Sequence, residues 1–143
     1  MNVLIAEDDR VSRQLLASIL QGHGYEVEAV ADGVAAWEAL ERRSGPALAI
    51  LDVMMPGMSG LDVCRKAREQ RAAEHDHLIL LTARADREDI LAGIHAGASD
   101  YITKPFNRLE LQVRVSVGAR FVEVQQRLLE RLPSKENARA DIE

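Results

Sequence analysis

Acidic side chains close two of the apolar runs in this 143-residue sequence. The run Val3-Leu4-Ile5-Ala6 ends at Glu7-Asp8-Asp9, and the run 47–51 ends at Asp52. Continuous apolar runs of this length predict strands buried on both faces, and neighbouring parallel strands would bring the four carboxylates to one edge of a sheet. Carboxylates this close repel one another unless a proton or a cation relieves them. Oxygen donors without His or Cys favour Mg²⁺, with Mn²⁺ as the second choice.

A helix cap is the competing interpretation of these acids. For Asp9, capping the first helix explains the residue at least as well as metal binding does. For Asp8 and Asp52 together, the capping interpretation is poor. Two further polar residues, Thr82 and Lys104, close later apolar segments and are expected at the same edge of the sheet.

The elements that must position these residues alternate along the chain. Five strand-like segments, at 3–6, 25–31, 47–51, 78–81 and 101–103, alternate with five helix-like segments. This order predicts right-handed crossovers and a parallel sheet covered on both faces. The charged stretch from Arg65 to Asp76 is predicted to be the solvent side and exit of the third helix. Asn107 is a suitable N-cap for the last helix.

Two apolar lines run along the last helix, whose pattern continues to Leu132 and stops at Pro133. One line can cover the sheet, whereas the other has nothing in this chain to pack against beyond the domain. The line that is left over predicts a partner helix, most simply from a second copy in a parallel coiled-coil homodimer. The alternative is a linker helix to an output domain. The first line is 111, 115, 122, 129 and 132, and the second is 117, 121, 124 and 128.

Composition excludes several classes of function. The net charge of −5 has the wrong sign for a general nucleic-acid or anionic-membrane binder, so no direct nucleic acid and no membrane contact are expected. No apolar run approaches a membrane span, and the N-terminus is too acidic for a signal peptide. The single cysteine, Cys64, fits a reducing compartment, and a cytoplasmic location is expected. The four histidines, His77 among them, are interpreted as solvated or turn residues.

Four motifs in register resemble the receiver domain of bacterial two-component response regulators, over about residues 2 to 120. They are Glu7-Asp8, Asp52, Thr82-Ala83 and Lys104-Pro105. The intervals, 44 residues from Asp8 to Asp52 and then 30 and 52 residues from Asp52 to Thr82 and Lys104, agree with that family. A single Lys-Pro or Asp-Asp pair would mean little, but four motifs in register are specific.

The resemblance implies a flavodoxin-like, doubly wound α/β fold. Its five parallel strands would follow the order 2-1-3-4-5, with five helices and an extended last helix. The chain would divide into a receiver domain (1–120), an extension of the last helix (121–133) and a polar, disordered tail (134–143).

The resemblance also implies a phosphoryl switch that catalyses only its own phosphorylation and dephosphorylation. Asp52 would accept a phosphoryl group from a sensor histidine kinase or a histidine phosphotransfer protein. Mg²⁺ would be bound by the side chains of Asp8 and Asp52, by the backbone carbonyl of Met54 and by Glu7 through water. The kinase, the output domain and the effector protein are left open by the sequence.

Three more residues receive roles from the same resemblance. Lys104 would pair with a phosphoryl oxygen, and the Lys104-Pro105 bond is expected to be cis. Thr82 and Tyr101 would form the readout, because an inward movement of Thr82 opens space for the tyrosine ring. Met54 and Arg84 lie two residues after Asp52 and Thr82, where side chains can gate an attacking water.

Two other functions are weighed against this one. A Mg²⁺-dependent phosphohydrolase of the haloacid-dehalogenase type also uses an aspartate nucleophile. In that class, however, the nucleophile belongs to an Asp-x-Asp motif after the first strand. Here the residue two positions after Asp52 is Met54. A non-phosphorylated pseudo-receiver that only binds protein is the third interpretation, but such domains have usually lost an acid or lysine that this sequence retains.

Overall fold

The structure, a computed structural model, describes residues 1–71, 75–83 and 87–131. Within them, five strands form one parallel sheet in the order β2-β1-β3-β4-β5, which confirms the predicted fold. The elements are β1 (Asn2–Ala6), α1 (Arg10–Gly22), β2 (Glu26–Val30), α2 (Gly33–Glu41), β3 (Leu48–Asp52), α3 (Gly60–Gln70), β4 (His77–Thr82), α4 (Arg87–Ala96), β5 (Asp100–Thr103) and α5 (Arg108–Arg131).

Strand register brings the ends of β1, β3, β4 and β5 to one edge. Ala6 of β1 pairs with Leu51 of β3, so the residues that follow them, Glu7 and Asp52, are neighbours. At the other side of the sheet Thr82 pairs with Thr103, and the Lys104 N–H donates to the Thr82 carbonyl at 2.7 Å. Parallel pairing therefore places all the polar strand ends on the same edge.

Helices cover both faces of the sheet, and every residue of β3 and β4 is therefore buried. Core residues of α1 and α5 pack on one face, and those of α2 and α3 pack on the other. Cys64 lies in the second of these cores, and burial raises the pKa of its thiol to about 12. The thiol is therefore protonated and unreactive at neutral pH.

Gly118 allows α5 to lie against the sheet. A Cβ at this position would lie 2.6 Å from His77 Cδ2 and 2.8 Å from Leu48 Cδ1, so a larger residue requires both side chains to move. Phe121 is half-buried with its ring centroid 5.5 Å from that of His77. Of the two apolar lines of α5, the first faces the core at Leu111, Val115 and Val122, a choice that the sequence left open. Leu132, Pro133 and the tail 134–143 lie outside the described residues.

Two polar positions were predicted wrongly. His77 is the first residue of β4 and only 8% exposed, so its interpretation as a solvated or turn residue is wrong, because α5 covers it. Asp76, assigned to the solvent exit of α3, is 2% exposed. It is buried because Arg71 folds back from the end of α3 and pairs with it, with Arg71 Nε 2.7 Å from Asp76 Oδ2.

Burial of His77 predicts a pH-dependent loss of stability. Its Nε2 atom has no hydrogen-bond partner among the described residues, and burial lowers the pKa of His77 from its ordinary value of 6.5. Below that pH the unfolded chain binds the proton more readily than the folded one, so acidification favours unfolding. Urea denaturation at about pH 7.5 and about pH 5.5 is expected to show a larger decrease in unfolding free energy for the wild type than for His77→Leu. The exposed His23 provides the control: His23→Gln should keep the wild-type pH dependence, and equal decreases for wild type and His77→Leu would contradict the prediction.

Candidate functional site

Three carboxylates meet at the carboxyl edge of the sheet. One oxygen each from Glu7, Asp8 and Asp52 can be chosen so that all three lie within 4.8 Å of one another. Glu7 is fully buried and Asp52 is 3% exposed, whereas Asp8 is exposed. The cluster is therefore closed towards the protein interior and open to solvent on the side of Asp8.

Asp9 has a different role from its two neighbours. It is the N-cap of α1, and its carboxylate accepts a hydrogen bond from the Ser12 N–H at 2.9 Å, which lowers the pKa of Asp9. The capping interpretation thus explains Asp9. On the same helix, Arg13 donates to the backbone carbonyl of Glu7 at 2.9 Å. The sequence reasoning missed Arg13, although a basic residue in the first turn after an acidic strand end was a usable signal.

Lys104 links the two buried acids. Its Nζ donates to both carboxylate oxygens of Glu7 at 3.0 Å and to Asp52 Oδ2 at 2.8 Å. The other oxygen of Asp52 accepts the Met54 N–H at 3.2 Å. One ammonium group thus offsets part of the charge of three carboxylates and fixes the orientation of the Asp52 side chain.

Burial acts in opposite directions on the pKa values of Glu7 and Lys104. Burial raises the pKa of Glu7 to about 7, and the neighbouring Asp52 carboxylate adds to this effect while Lys104 opposes it. Burial also disfavours the charged form of Lys104, but its hydrogen bonds to Asp52 and Glu7 outweigh that effect and raise its pKa. Lys104 therefore stays cationic, and the Glu7 carboxyl is partly protonated near neutral pH.

Local sequence explains the position of Asp52. Asp52 ends the fully buried strand β3, and Gly60 at the start of α3 packs against its backbone so closely that a Cβ would overlap the Asp52 carbonyl group. Ser59 and Asp62 form a capping box, with each side chain bonded to the other residue's N–H at 3.1 Å. The loop after Asp52 therefore returns directly into a capped helix.

The two residues predicted for the readout flank a small cavity next to the acidic cluster. Thr82 ends β4 and is 8% exposed, whereas Tyr101 on β5 is 37% exposed. A cavity of about 200 Å³ lies between them, with Leu80 and Ile94 in its wall. The guanidinium carbon of Arg114 lies 5.9 Å from the centre of the Tyr101 ring on the outer side.

The remaining predicted features are placed as follows. The Lys104-Pro105 bond is cis, as predicted, and Asn107 caps α5 by accepting from the N–H groups of residues 109 and 110. The Met54 side chain is 75% exposed. Arg84, predicted to gate water, lies outside the described residues. None of the helices in the described ranges has the length and apolar character needed to cross a membrane.

Similarity to known proteins extends over most of the chain. Residues 3–116 match the family described as response regulator receiver domain. The transcriptional regulatory protein CseB of Streptomyces avermitilis is 41% identical over 114 residues, which are 80% of this chain and 47% of CseB. The DNA-binding response regulator MtrA of Mycobacterium tuberculosis is 38% identical over 118 residues, 82% of this chain and 50% of MtrA. The chain spans about half the length of these curated relatives.

A solved structure has the same architecture. The receiver domain of sensor histidine kinase PA1611 from Pseudomonas aeruginosa is 32% identical, with a TM-score of 0.73 over 82% of this chain and 95% of that chain. Its structure has a magnesium ion coordinated in the active site cleft.

Proposed function

Because this chain belongs to the family of response regulator receiver domains, we propose that Asp52 accepts a phosphoryl group in a two-component signalling pathway. The domain is a signalling switch rather than an enzyme that turns over a separate substrate. One observation carries the assignment of Asp52. Its carboxylate belongs to a cluster of three acids, and a lysine ammonium lies 2.8 Å from one of its oxygens.

The same cluster is assigned as the metal site. Asp8 and Asp52 would bind Mg²⁺ through their side chains, Met54 through its backbone carbonyl and Glu7 through water, with Mn²⁺ as a substitute. The donors fit, since the cluster offers only oxygen atoms, and these suit hard divalent cations. When bound, the cation supplies positive charge that neutralises the carboxylates and attracts phosphoryl oxygens. The magnesium ion in the PA1611 receiver domain supports this assignment.

Phosphotransfer would use Asp52 as the nucleophile. A bond forms between an Asp52 carboxylate oxygen and phosphorus, while the bond from phosphorus to the imidazole nitrogen of a phosphohistidine breaks. The donor would be a sensor histidine kinase or a histidine phosphotransfer protein. The direct test is incubation with acetyl phosphate and Mg²⁺, followed by intact-mass measurement. One stable phosphoryl group per chain is expected, whereas turnover without accumulation would indicate a phosphohydrolase and no reaction a pseudo-receiver.

Lys104 would stabilise the charge that develops on the transferred phosphoryl group. Lys104→Ala is therefore expected to slow phosphorylation by acetyl phosphate by about 10²- to 10³-fold, the usual effect of losing one such donor. Binding of Mg²⁺ should not weaken, because the variant keeps all three carboxylates. A time course of phosphoryl incorporation and a Mg²⁺ titration measure the two quantities. Lys66→Ala on α3 is the matched control, and a wild-type rate in Lys104→Ala would exclude this role.

Thr82 and Tyr101 would convert phosphorylation into a change of surface. A phosphoryl group on Asp52 offers new acceptor oxygens to the Thr82 hydroxyl, and movement of Thr82 towards them would enlarge the cavity behind it. The Tyr101 ring, half-exposed beside that cavity, would then turn inward and leave Arg114. Such a coupled movement is a shift between two states of one surface.

The pathway around the domain is part of the same proposal. A cytoplasmic location remains a prediction, and so does the absence of direct nucleic-acid binding by this chain. CseB is a transcriptional regulatory protein, and MtrA is a DNA-binding response regulator. The matched segment is only about half of each of those proteins, so their activity is not carried over to this chain.

A further inference from the structure

The half-buried Arg13 has no part in the proposed chemistry, yet it contacts the loop that carries two of the site's acids. Its Nη1 atom lies 2.9 Å from the Glu7 carbonyl oxygen and 3.4 Å from the Asp8 carbonyl oxygen, and it donates to both. Among the described residues, the bond from Arg13 is the only hydrogen bond that reaches Asp8. The exposed member of the acidic cluster is therefore held through its backbone by a single side chain.

The position of Arg13 on α1 explains how it reaches the end of β1. It is the fourth residue of the helix, and helical side chains lean towards the N-terminus of their own helix. The Arg13 side chain therefore extends back over the loop 7–9. The helix dipole disfavours a cation in the first turn, so helix stability does not account for an arginine there. What this placement provides is the pair of hydrogen bonds to the two carbonyl groups.

We propose that Arg13 is a positioning residue that orients the Asp8 carboxylate for Mg²⁺. The two carbonyl groups belong to the planar peptide groups on either side of the Asp8 Cα atom. A donor that holds both peptide groups restricts the two backbone dihedrals of Asp8, and these dihedrals set the direction of its side chain. The role rests on the proposed function, because it requires the metal site that Asp8 and Asp52 would form.

The charge of Arg13 and its hydrogen bonds act on metal binding in opposite directions. A guanidinium close to the site repels a divalent cation, so removal of the charge alone would strengthen Mg²⁺ binding. Removal of the two hydrogen bonds would weaken Mg²⁺ binding, because Asp8 would then have to be ordered when the ion binds. The sign of the change in Mg²⁺ affinity therefore separates orientation of the ligand from simple electrostatics.

Arg13→Ala is expected to raise the dissociation constant for Mg²⁺ by about 10- to 100-fold, the usual effect of losing a residue that orients a metal ligand. Titration calorimetry of the full chain with Mg²⁺ measures this constant without a phosphoryl donor. Arg10→Ala is the matched control. Arg10 begins the same helix, and its exposed side chain makes no hydrogen bond or ion pair among the described residues. The control removes the same charge and should bind Mg²⁺ at least as tightly as the wild type.

Arg13→Lys is the conservative variant. Lysine keeps the positive charge and a hydrogen-bond donor but lacks the planar guanidinium. Its affinity for Mg²⁺ should lie between those of Arg13→Ala and the wild type. An affinity no higher than that of Arg13→Ala would overturn the role of these hydrogen bonds.

Phosphorylation by acetyl phosphate gives a second measure. Arg13→Ala keeps Asp52 and Lys104, so its rate should reach that of the wild type once Mg²⁺ is saturating. The Mg²⁺ concentration that gives half of this rate should rise. A general loss of structure would instead lower the rate at every Mg²⁺ concentration, and a rate that stays low at saturating Mg²⁺ would overturn the positioning role.

Calorimetry and phosphorylation together separate failure of this role from failure of the proposed function. A wild type that binds Mg²⁺ but accepts no phosphoryl group would contradict the phosphotransfer alone, since weaker Mg²⁺ binding by Arg13→Ala would still support the role of Arg13. A wild type that binds no Mg²⁺ would overturn the metal site and the role of Arg13 together. Equal or tighter Mg²⁺ binding by Arg13→Ala, with a wild type that binds the ion and is phosphorylated, would overturn only the role of Arg13.

Discussion

Replacement of Asp52 by asparagine is expected to abolish the phosphoryl adduct that the wild type forms with acetyl phosphate and Mg²⁺. Asparagine has almost the same shape, but its amide oxygen carries no negative charge and is a poor nucleophile. The substitution also removes the negative charge that Lys104 pairs with and one of the three carboxylates of the cluster. Intact-mass measurement gives the occupancy, and peptide mapping gives the modified residue.

Asp9→Asn is the matched control for this experiment. Asp9 follows directly after the cluster and undergoes the same chemical change, but its carboxylate caps α1, and asparagine caps helices equally well. The control should therefore be phosphorylated at the wild-type rate. Asp8→Asn should require more Mg²⁺ for the same rate while keeping the acceptor. A full adduct on Asp52→Asn, or a modified residue other than Asp52, would contradict the assignment.

Asp76→Ala is expected to lower the free energy of unfolding by about 3–5 kcal/mol, the usual cost of leaving one partner of a buried ion pair without the other. The Asp76 side chain is 1% exposed and that of Arg71 is 12% exposed. Asp76 receives two hydrogen bonds from Arg71, at 2.7 and 3.2 Å, and a third from the Ala47 N–H at 2.9 Å. The loss is a large share of the roughly 5–15 kcal/mol that stabilises a typical domain.

The cost is large because Arg71 connects several elements. Its guanidinium donates to backbone carbonyls in the segment that ends α2 and leads into β3, at Leu40, at Arg43 (3.0 Å) and at Gly45 (2.9 Å). Without Asp76 this cation keeps only neutral partners among the residues that the structure describes. Chemical denaturation of Asp76→Ala and of Glu69→Ala, an exposed acid on α3, measures the difference.

Two further variants test how much the buried ion pair of Arg71 and Asp76 contributes to stability. Glu69→Ala should change stability by less than about 0.5 kcal/mol, as is usual for exposed positions. Asp76→Asn should cost less than Asp76→Ala, because its amide oxygen can still accept a hydrogen bond from Arg71 or from the Ala47 N–H. An Asp76→Ala variant as stable as Glu69→Ala would show that the buried pair contributes little.

Most of the fold and the acidic cluster were predictable from the sequence because both depend on local pattern. Strands β1, β3 and β4 each contain a short, wholly apolar run, and each run stops at a polar residue. In a parallel sheet, the carboxyl ends of the strands share one edge. Glu7, Asp8, Asp52 and Lys104 were therefore expected together before their distances were known, and the structure places them together.

Long-range packing decided what the pattern left open or predicted wrongly. Nothing local to Asp76 or His77 shows that an arginine from the end of α3 pairs with one and that α5, about forty residues later, covers the other. A charged or polar residue in a hydrophilic stretch predicts solvent exposure unless its distant partner is known. Asp9 could have joined the cluster or capped a helix, and only the direction in which α1 leaves β1 selected the cap.

The sequence by itself determined the order of strands and helices along the chain and the edge of the sheet that carries the chemistry. It also determined that the last helix has two apolar lines. These follow from the period of apolar residues and from the positions at which the runs stop. Only the tertiary structure decided that Lys104 bridges Glu7 and Asp52, that Tyr101 lines a cavity while staying partly exposed, and which side of α5 stays exposed. Those features depend on contacts between residues far apart in the chain, and such contacts exist only once the sheet and its helices have packed together.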